Sequence, residues 1–343
     1  MVDTETVLIV GAGPIGLACA IAARRRGLDP LVIDQGAIAE SIVRYPIGMV
    51  FFTTPDRLEI GGHPLVCAGP KPTREEALMY YRGVARSEAL RVRPYTRLAG
   101  VERRGGQLAC RVVRTLGAPR DEVIPCERVV LATGYFDHPN PLGVPGECLP
   151  HVSHYSTEAH GLAGLDVAIV GAKNSAVELA LNAFRAGARV TLVHRGAALK
   201  PSVKYWLRPD FENRVKAGEI EVRWNTAIRE ISNGDVLVEG AAGVERVPAD
   251  RVFLLTGYRP DFDLLRGIGI TLDPETMRPA HDSQTLETDV PGVFIAGSLT
   301  AGKFTSEIFI ENGRYDGERI FGDAEGRRRA GTAAGRIARP VGE

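Results

Sequence analysis

Short unbroken apolar runs recur along the chain, and the strongest are followed by stretches with helical spacing. Residues 6–10 and 31–33 flank one such stretch, and residues 166–170 and 190–193 flank another. Runs this short, without polar alternation, predict strands covered on both faces, as in parallel sheets packed between helices. The chain therefore reads as two βαβ units. Two further runs repeat each other: residues 128–133 end in Gly134-Tyr135, and residues 251–256 end in Gly257-Tyr258. Such an echo predicts an internal duplication. A long helix is expected from Thr73, whose hydroxyl and Glu76 form a capping box ahead of Ala77, Leu78, Tyr81 and Val84. Alternation over residues 92–113, with a turn at Gly105-Gly106, predicts antiparallel strands. A terminal helix is expected over residues 305–321, capped by Thr305 or Ser306.

These elements predict an α/β fold of two Rossmann-like, three-layer nucleotide-binding domains. The Pro- and His-rich stretch 139–154 reads as a crossing out of the first domain, and the return falls near residues 283–289. The expected boundaries are 1–155 and 285–323 for a discontinuous first domain and 156–284 for a second domain inserted into it. Residues 324–343, rich in Gly, Ala and Arg with few apolar side chains, are expected to be a disordered tail.

Each βαβ unit opens with a glycine-rich turn directly after its first strand. The first is GAGPIG, with Gly11, Gly13, Pro14, Ile15 and Gly16; the second, 160 residues later, is GAKNSA, with Gly171, Lys173, Asn174, Ser175 and Ala176. In strand-turn-helix context such turns bring backbone N–H groups and a helix N-terminus to a pyrophosphate. Two dinucleotide sites imply electron transfer from one nucleotide to the other. The strand after the first turn ends at Asp34, where a carboxylate holds a ribose diol. Its counterpart ends in His194 and Arg195, with Lys200 close behind, and cations there favour the 2′-phosphate of NADPH over NADH. Lys173 stands where the strict pattern has its middle glycine, so its ammonium either reaches a phosphate or faces solvent.

Composition narrows the function classes. The 343 residues are 24% charged and 44% hydrophobic, the proportions of a soluble globular protein, and Lys plus Arg balance Asp plus Glu at 42 each. With no net field to recruit nucleic acid or an anionic membrane, a small-molecule substrate is expected. No apolar run is long enough to span a bilayer and the first strand follows a few polar residues, so a cytoplasmic protein is expected. The five cysteines, Cys19, Cys67, Cys110, Cys126 and Cys148, include no CxxC pair, so neither a metal site nor a vicinal dithiol is expected. Cys67 and Cys148, in loops rich in Pro and Gly, are the candidates for reactivity. His151 and His154 are candidates for proton transfer, and Tyr45, Phe51 and Phe52 for lining the flat face of a bound ring.

Beyond the glycine turns, the ATG element 132–134 and the closing VPGVFIAGS, residues 290–298, resemble the thioredoxin-reductase-like flavoproteins from about residue 5 to 322. Within that group the chain resembles the bacillithiol-disulfide-reductase (YpdA-type) family, through RYPIGMVFFTTPDRLEIGG (44–62), KPTREEALMYYR (71–82), ATGYFDHPNPLGVPGE (132–147), VSHY (152–155), GAKNSAVE (171–178) and EIFIENGR (307–314). The resemblance implies FAD in the first domain, NADPH in the second, a low-molecular-weight thiol disulfide as substrate, and a homo-oligomer. It implies FAD contacts from Gly11, Gly13, Gly16, Asp34, Thr133, Gly134 and Gly297, with Pro14, Ile15, Gln35, Ser41, Ser298 and Ile308 as neighbouring candidates. NADPH contacts fall to Gly171, Lys173, Asn174, Ser175, His194 and Arg195, with Ala176, Lys200, Thr256 and Gly257 beside them.

The chain departs from the pattern twice. The YpdA-type family usually carries a cysteine in the first glycine loop, at the position of Ile15, and thioredoxin reductases close on Gly-Asp where this chain has Gly297-Ser298. The missing thiol raises the expectation of a reductase of a protein acceptor such as ferredoxin. Arg44-Tyr45-Pro46 and the loop 146–155 keep a flavin monooxygenase open, and a slow redox-sensing module is a further alternative.

Overall fold

The computed structural model describes residues 4–241 and 243–337. In chain order the elements are β1 (Glu5–Val10), α1 (Pro14–Arg25), β2 (Leu31–Ile33), α2 (Glu40–Val43), α3 (Pro55–Leu58), α4 (Arg74–Ser87), β3 (Arg91–Arg93), β4 (Thr96–Arg104), β5 (Gln107–Arg114) and β6 (Asp121–Leu131). There follow β7 (Val152–Ser153), β8 (Asp166–Val170), α5 (Asn174–Arg185), β9 (Arg189–His194), α6 (Arg208–Lys216), β10 (Ile220–Trp224), β11 (Ala227–Ser232), β12 (Gly234–Gly240), β13 (Gly243–Ala249) and β14 (Arg251–Leu254). The chain closes with α7 (Phe262–Ile268), β15 (Val293–Ile295), α8 (Ile310–Gly313), α9 (Asp316–Phe321) and α10 (Ala324–Ile337). Two compact units result. One takes the described residues of Met1–Arg44, Gly48–His138 and Tyr258–Glu343, and the other Tyr45–Ile47 and Pro139–Gly257.

The first unit is built on a mixed sheet of order β3-β2-β1-β6-β5-β4, with β15 also paired to β6. β6 joins its two halves. The end of β6 runs parallel to β1 and β15, Val129 aligning with both Leu8 and Val293, whereas its beginning runs antiparallel to β5. Pro14 opens α1, where no N–H is needed, and the small residues that follow let the helix lie close to the sheet. α4 begins as the sequence predicts: Glu76 N donates to Thr73 Oγ1 at 3.2 Å and Thr73 N to Glu76 Oε2 at 2.8 Å.

The second unit has an all-parallel sheet of order β10-β9-β8-β14-β7 and a separate antiparallel meander β11-β12-β13. Its βαβ start repeats that of the first unit bond for bond. Gly11 N donates to Ile33 O at 2.7 Å and Gly171 N to Val193 O at 3.1 Å, while Ala132 N donates to Val10 O at 2.8 Å and Leu255 N to Val170 O at 2.9 Å.

Three expectations are corrected. The crossings fall at residues 139 and 257, earlier than 155 and 284. β7 pairs with β14, which draws the first crossing into the second unit, while Phe262, Leu265 and Ile268 of α7 enter the core beneath β4 and β5 with Leu98 and Val112, which draws the return into the first. The terminal helix is two short ones, α8 and α9. Phe309 is extended, and Asn312 rather than Thr305 or Ser306 holds the start: its Oδ1 accepts from Phe309 N at 2.8 Å and its Nδ2 donates to Glu307 O at 2.9 Å. Residues 324–337 are helical rather than disordered. The Asp323 carboxylate accepts from Gly326 N at 2.7 Å, Arg327 Nε donates to Arg319 O at 3.0 Å, and Ala330 is buried. The remainder of the expected tail, residues 338–343, lies outside the described residues.

Candidate functional site: two dinucleotide turns

In the first unit the glycines are fixed by contact distances. A Cβ on Gly11, whose φ is +111°, would lie 2.3 Å from Ala132 O, and one on Gly16 would lie 1.8 Å from Gly11 O. Turn, helix and ATG element therefore close on each other only through glycine. A Cβ on Gly13 or Gly134 would meet nothing within 4 Å, so both border open space. Asp34 stands at the lip, its Oδ2 accepting from Ala12 N at 2.7 Å and its Oδ1 from Gly36 N at 2.8 Å. Burial pushes its carboxyl above the ordinary range, the two N–H groups pull it back, and Asp137 and Glu40 add to the rise. Gln35, by its carbonyl, holds Thr115 Oγ1 at 2.7 Å, and Ser41 is half-buried on α2.

The closing motif comes to the same turn. Ile15 Cδ1 lies where a Cβ on Gly297 or Gly313 would be 2.7 or 2.6 Å away, so the loop side chain fills the space these two glycines leave. Ser298 is buried and Thr300 Oγ1 donates to Gly297 O at 2.9 Å. Ile308 is half-buried in the extended stretch before α8. Pro14 and Thr133 complete the turn, while Phe51 is buried and Phe52 half-buried in this unit and Tyr45 is grouped with the other. Sequence reading missed Asp316, which is buried and accepts from Gly297 N at 2.7 Å.

The second turn is built alike. A Cβ on Gly171, φ +140°, would lie 2.7 Å from Leu255 O, and buried Ala176 replaces the third glycine. Lys173 is the exposed N-cap of α5 and Ser175 is exposed beside it. Thr256 Oγ1 donates to Asn140 O at 2.6 Å and Gly257 O accepts from Asn140 N at 2.9 Å. Arg195 and Lys200 are exposed at the end of β9, but His194 is buried, edge-on to Trp224 with ring centroids 6.1 Å apart. Burial first, then Lys200 and Arg195, hold its imidazole below the ordinary histidine range. The cationic charge at this strand end is therefore that of Arg195 and Lys200.

Cys67 in the first unit donates from Sγ to Gly69 O at 3.1 Å, and Cys148 is exposed in the second. Cys19, Cys110 and Cys126 are buried. His154 faces Glu147 at 3.4 Å, and that carboxylate also accepts from the Leu142 and Gly143 amides. Among the described residues no group of three or more His, Cys, Asp or Glu side chains is placed to hold a metal, and no helix is long and apolar enough to cross a membrane.

Two glycine turns of the same build, each between a parallel strand and a helix, fit a dinucleotide-dependent oxidoreductase. Residues 8–297 match the pyridine nucleotide-disulphide oxidoreductase family. The chain is 40% identical over 317 residues to the bacilliredoxin reductase Bdr of Bacillus subtilis (strain 168), covering 92% of this chain and 96% of that one. The structure of the bacillithiol disulfide reductase Bdr (YpdA) from Bacillus cereus superposes with a TM-score of 0.90 at 38% identity, over 97% of this chain and all of that one. T. acidophilum thioredoxin reductase shares the fold, with a TM-score of 0.69 at 20% identity over 97% of this chain and 98% of that one. The chain belongs to the Bdr (YpdA) family of pyridine nucleotide-disulphide oxidoreductases.

Proposed function

We propose that the chain is a cytoplasmic, NADPH-dependent FAD oxidoreductase that reduces a low-molecular-weight thiol disulfide, bacillithiol disulfide. The observation that carries the cofactor assignment is the opposite charge at two equivalent strand ends. Asp34 suits an unphosphorylated ribose diol, as in FAD, and Arg195 with Lys200 suits a 2′-phosphate. A Cβ on Gly13 or Gly134 would meet nothing within 4 Å, and this open space beside the start of α1 fits a pyrophosphate. When bound, NADPH would supply a hydride and FAD would relay its two electrons to the disulfide.

The chain's own residues then hold and shelter. The Gly11 and Gly171 turns set the two pyrophosphates, and Ile15 with Gly297 and Gly313 closes the first turn with apolar surface. Because Ile15 carries no thiol and the chain has no CxxC, the disulfide is met without an internal dithiol. The name of the Bacillus cereus relative supplies the small-disulfide class, whereas that of the Bacillus subtilis relative names a protein, bacilliredoxin, as what is reduced. The absence of a loop thiol also favours a second reading, in which a protein accepts the electrons.

Anaerobic reduction of the purified protein by NADPH, followed by bacillithiol disulfide, tests the proposal. Rapid return of the oxidised-flavin absorbance supports it. A flavin that stays bleached overturns the small-disulfide reading and favours the protein acceptor, and a colourless protein that takes up no FAD overturns the cofactor assignment.

A further inference from the structure

Between β9 and α6 the second unit carries a surface segment, residues 200–206, anchored by buried Val203 and stitched to the glycine turn. Lys200 N donates to Ala172 O at 3.0 Å. The Asn174 side chain, at the first position of α5, donates from Nδ2 to Ser202 O at 3.3 Å and accepts from Lys204 N at 2.9 Å. Asn174 is thus a strut between turn and segment. The segment ends in Tyr205, 81% exposed, and Trp206, 40% exposed, packed edge-to-face with centroids 4.9 Å apart and Lys204 Nζ 5.9 Å from the Trp206 ring.

A ring as exposed as that of Tyr205, set beside a cation, is poorly explained by folding alone, because folding favours covering so large an apolar surface. Its position says what would cover it. Lys204 is fastened through its own amide to the residue that opens α5, where a pyrophosphate sits on the reading above, and Lys200 and Arg195 continue the positive charge toward the end of β9. A doubly anionic linker with a flat heteroaromatic ring at each end complements this arrangement of cations and ring faces.

We propose that residues 200–206 grip the pyridine dinucleotide, Lys204 pairing with its phosphates and the Tyr205–Trp206 pair lying against one of its rings. This inference rests on the second unit binding NADPH. Tyr205→Ala and Lys204→Ala are changes at the surface, and each should raise the Kd for NADP⁺ about tenfold, in the range of an aromatic stack or a charge-assisted hydrogen bond. Lys216→Ala, at the far end of α6, should leave Kd unchanged.

The experiment is calorimetric titration of the FAD-loaded protein and these three variants with NADP⁺, alongside tryptophan emission in wild type and Trp206→Phe. Selective weakening in the first two variants, with a saturable emission change that Trp206→Phe abolishes, is the expected result. Tight binding to wild type with unchanged Kd in both variants would overturn the inference while leaving the NADPH reading intact. No NADP⁺ binding to wild type would overturn that reading and the inference with it.

Discussion

The Asp316 carboxylate accepts the Gly297 amide hydrogen across 19 residues of chain, with N···Oδ2 at 2.7 Å, and its other oxygen faces Arg319 at 3.0 Å. The pair ties α9 to the closing motif that carries Ser298. Burial raises this acid from 3.8 to about 6, against the pull of the Gly297 N–H, Arg319 and His281, and the buried Cys19 thiol on α1 is itself pushed up by burial and then by Asp316. A raised folded-state pKa means that the native protein binds a proton the unfolded chain has lost. The associated stability is present below about pH 4 and disappears as pH rises through about 6, a change of about 3 kcal/mol. Asp316→Asn keeps an acceptor for Gly297 but cannot ionise. Denaturant unfolding of both proteins from pH 4 to 7.5 should show the wild type losing stability relative to the variant as pH rises, and parallel curves would refute the buried acid.

Ile15 and Gly313 should be energetically coupled. A methyl on Gly313 would sit 2.6 Å from Ile15 Cδ1 and 3.4 Å from Gly297 Cα, so Gly313→Ala forces the loop side chain aside and should cost about 1–3 kcal/mol. In the Ile15→Ala background the same change should be nearly neutral. Urea unfolding of the two single variants and the double variant checks this, and additive losses would show that the loop residue does not fill the glycine gap.

The cysteines should divide by burial. Cys67 is half-buried and Cys148 exposed, while Cys19, Cys110 and Cys126 are buried, with the Cys110 and Cys126 sulfurs 3.5 Å apart and the Cys110 thiol pushed far above its ordinary range by its hydrogen bond to Cys126 and by burial. A thiol reagent should therefore modify two sites in the native protein and all five only after unfolding. Turnover that survives Cys67→Ser together with Cys148→Ser would show that no reactive thiol takes part, in keeping with Ile15 in the loop.

The strands and turns were legible because backbone geometry leaves little choice. A Cβ on Gly11 or Gly171 would run into the carbonyl just past the end of β6 or β14, and no other residue fits there. The capping box at Thr73 was legible because side chain and backbone satisfy each other within four residues. What failed depended on partners far along the chain. α7 shows its apolar face only once the sheet beneath it is known, and β7 is two residues long. Thr305 and Ser306 look like caps, yet Asn312 supplies the bonds. Asp316 reads as a surface acid on a helix until Gly297 is brought to it, and His194 reads as a cation until its burial is seen. The Asp323 cap of α10 was hidden by arginine-rich composition.

Nucleotide preference should rest on Arg195. With His194 buried and its imidazole held below the ordinary histidine range, the positive charge offered to a 2′-phosphate in the proposed NADPH site would come from Arg195 and Lys200, both exposed beyond the end of β9. A guanidinium paired with a phosphate contributes about 1.5–3 kcal/mol, so Arg195→Ala should raise the KM for NADPH roughly 10- to 100-fold and leave that for NADH nearly unchanged. Lys200→Ala, which removes a flexible point charge, should have a smaller effect in the same direction. Because His194 is not the cation, the NADPH preference of the wild type should not fall as pH rises from 6.5 to 8. Steady-state kinetics with both nucleotides, at low and moderate salt, separates the possibilities. Equal losses for NADPH and NADH in Arg195→Ala would remove the 2′-phosphate from this strand end, and a preference that decays with histidine titration would return the role to His194.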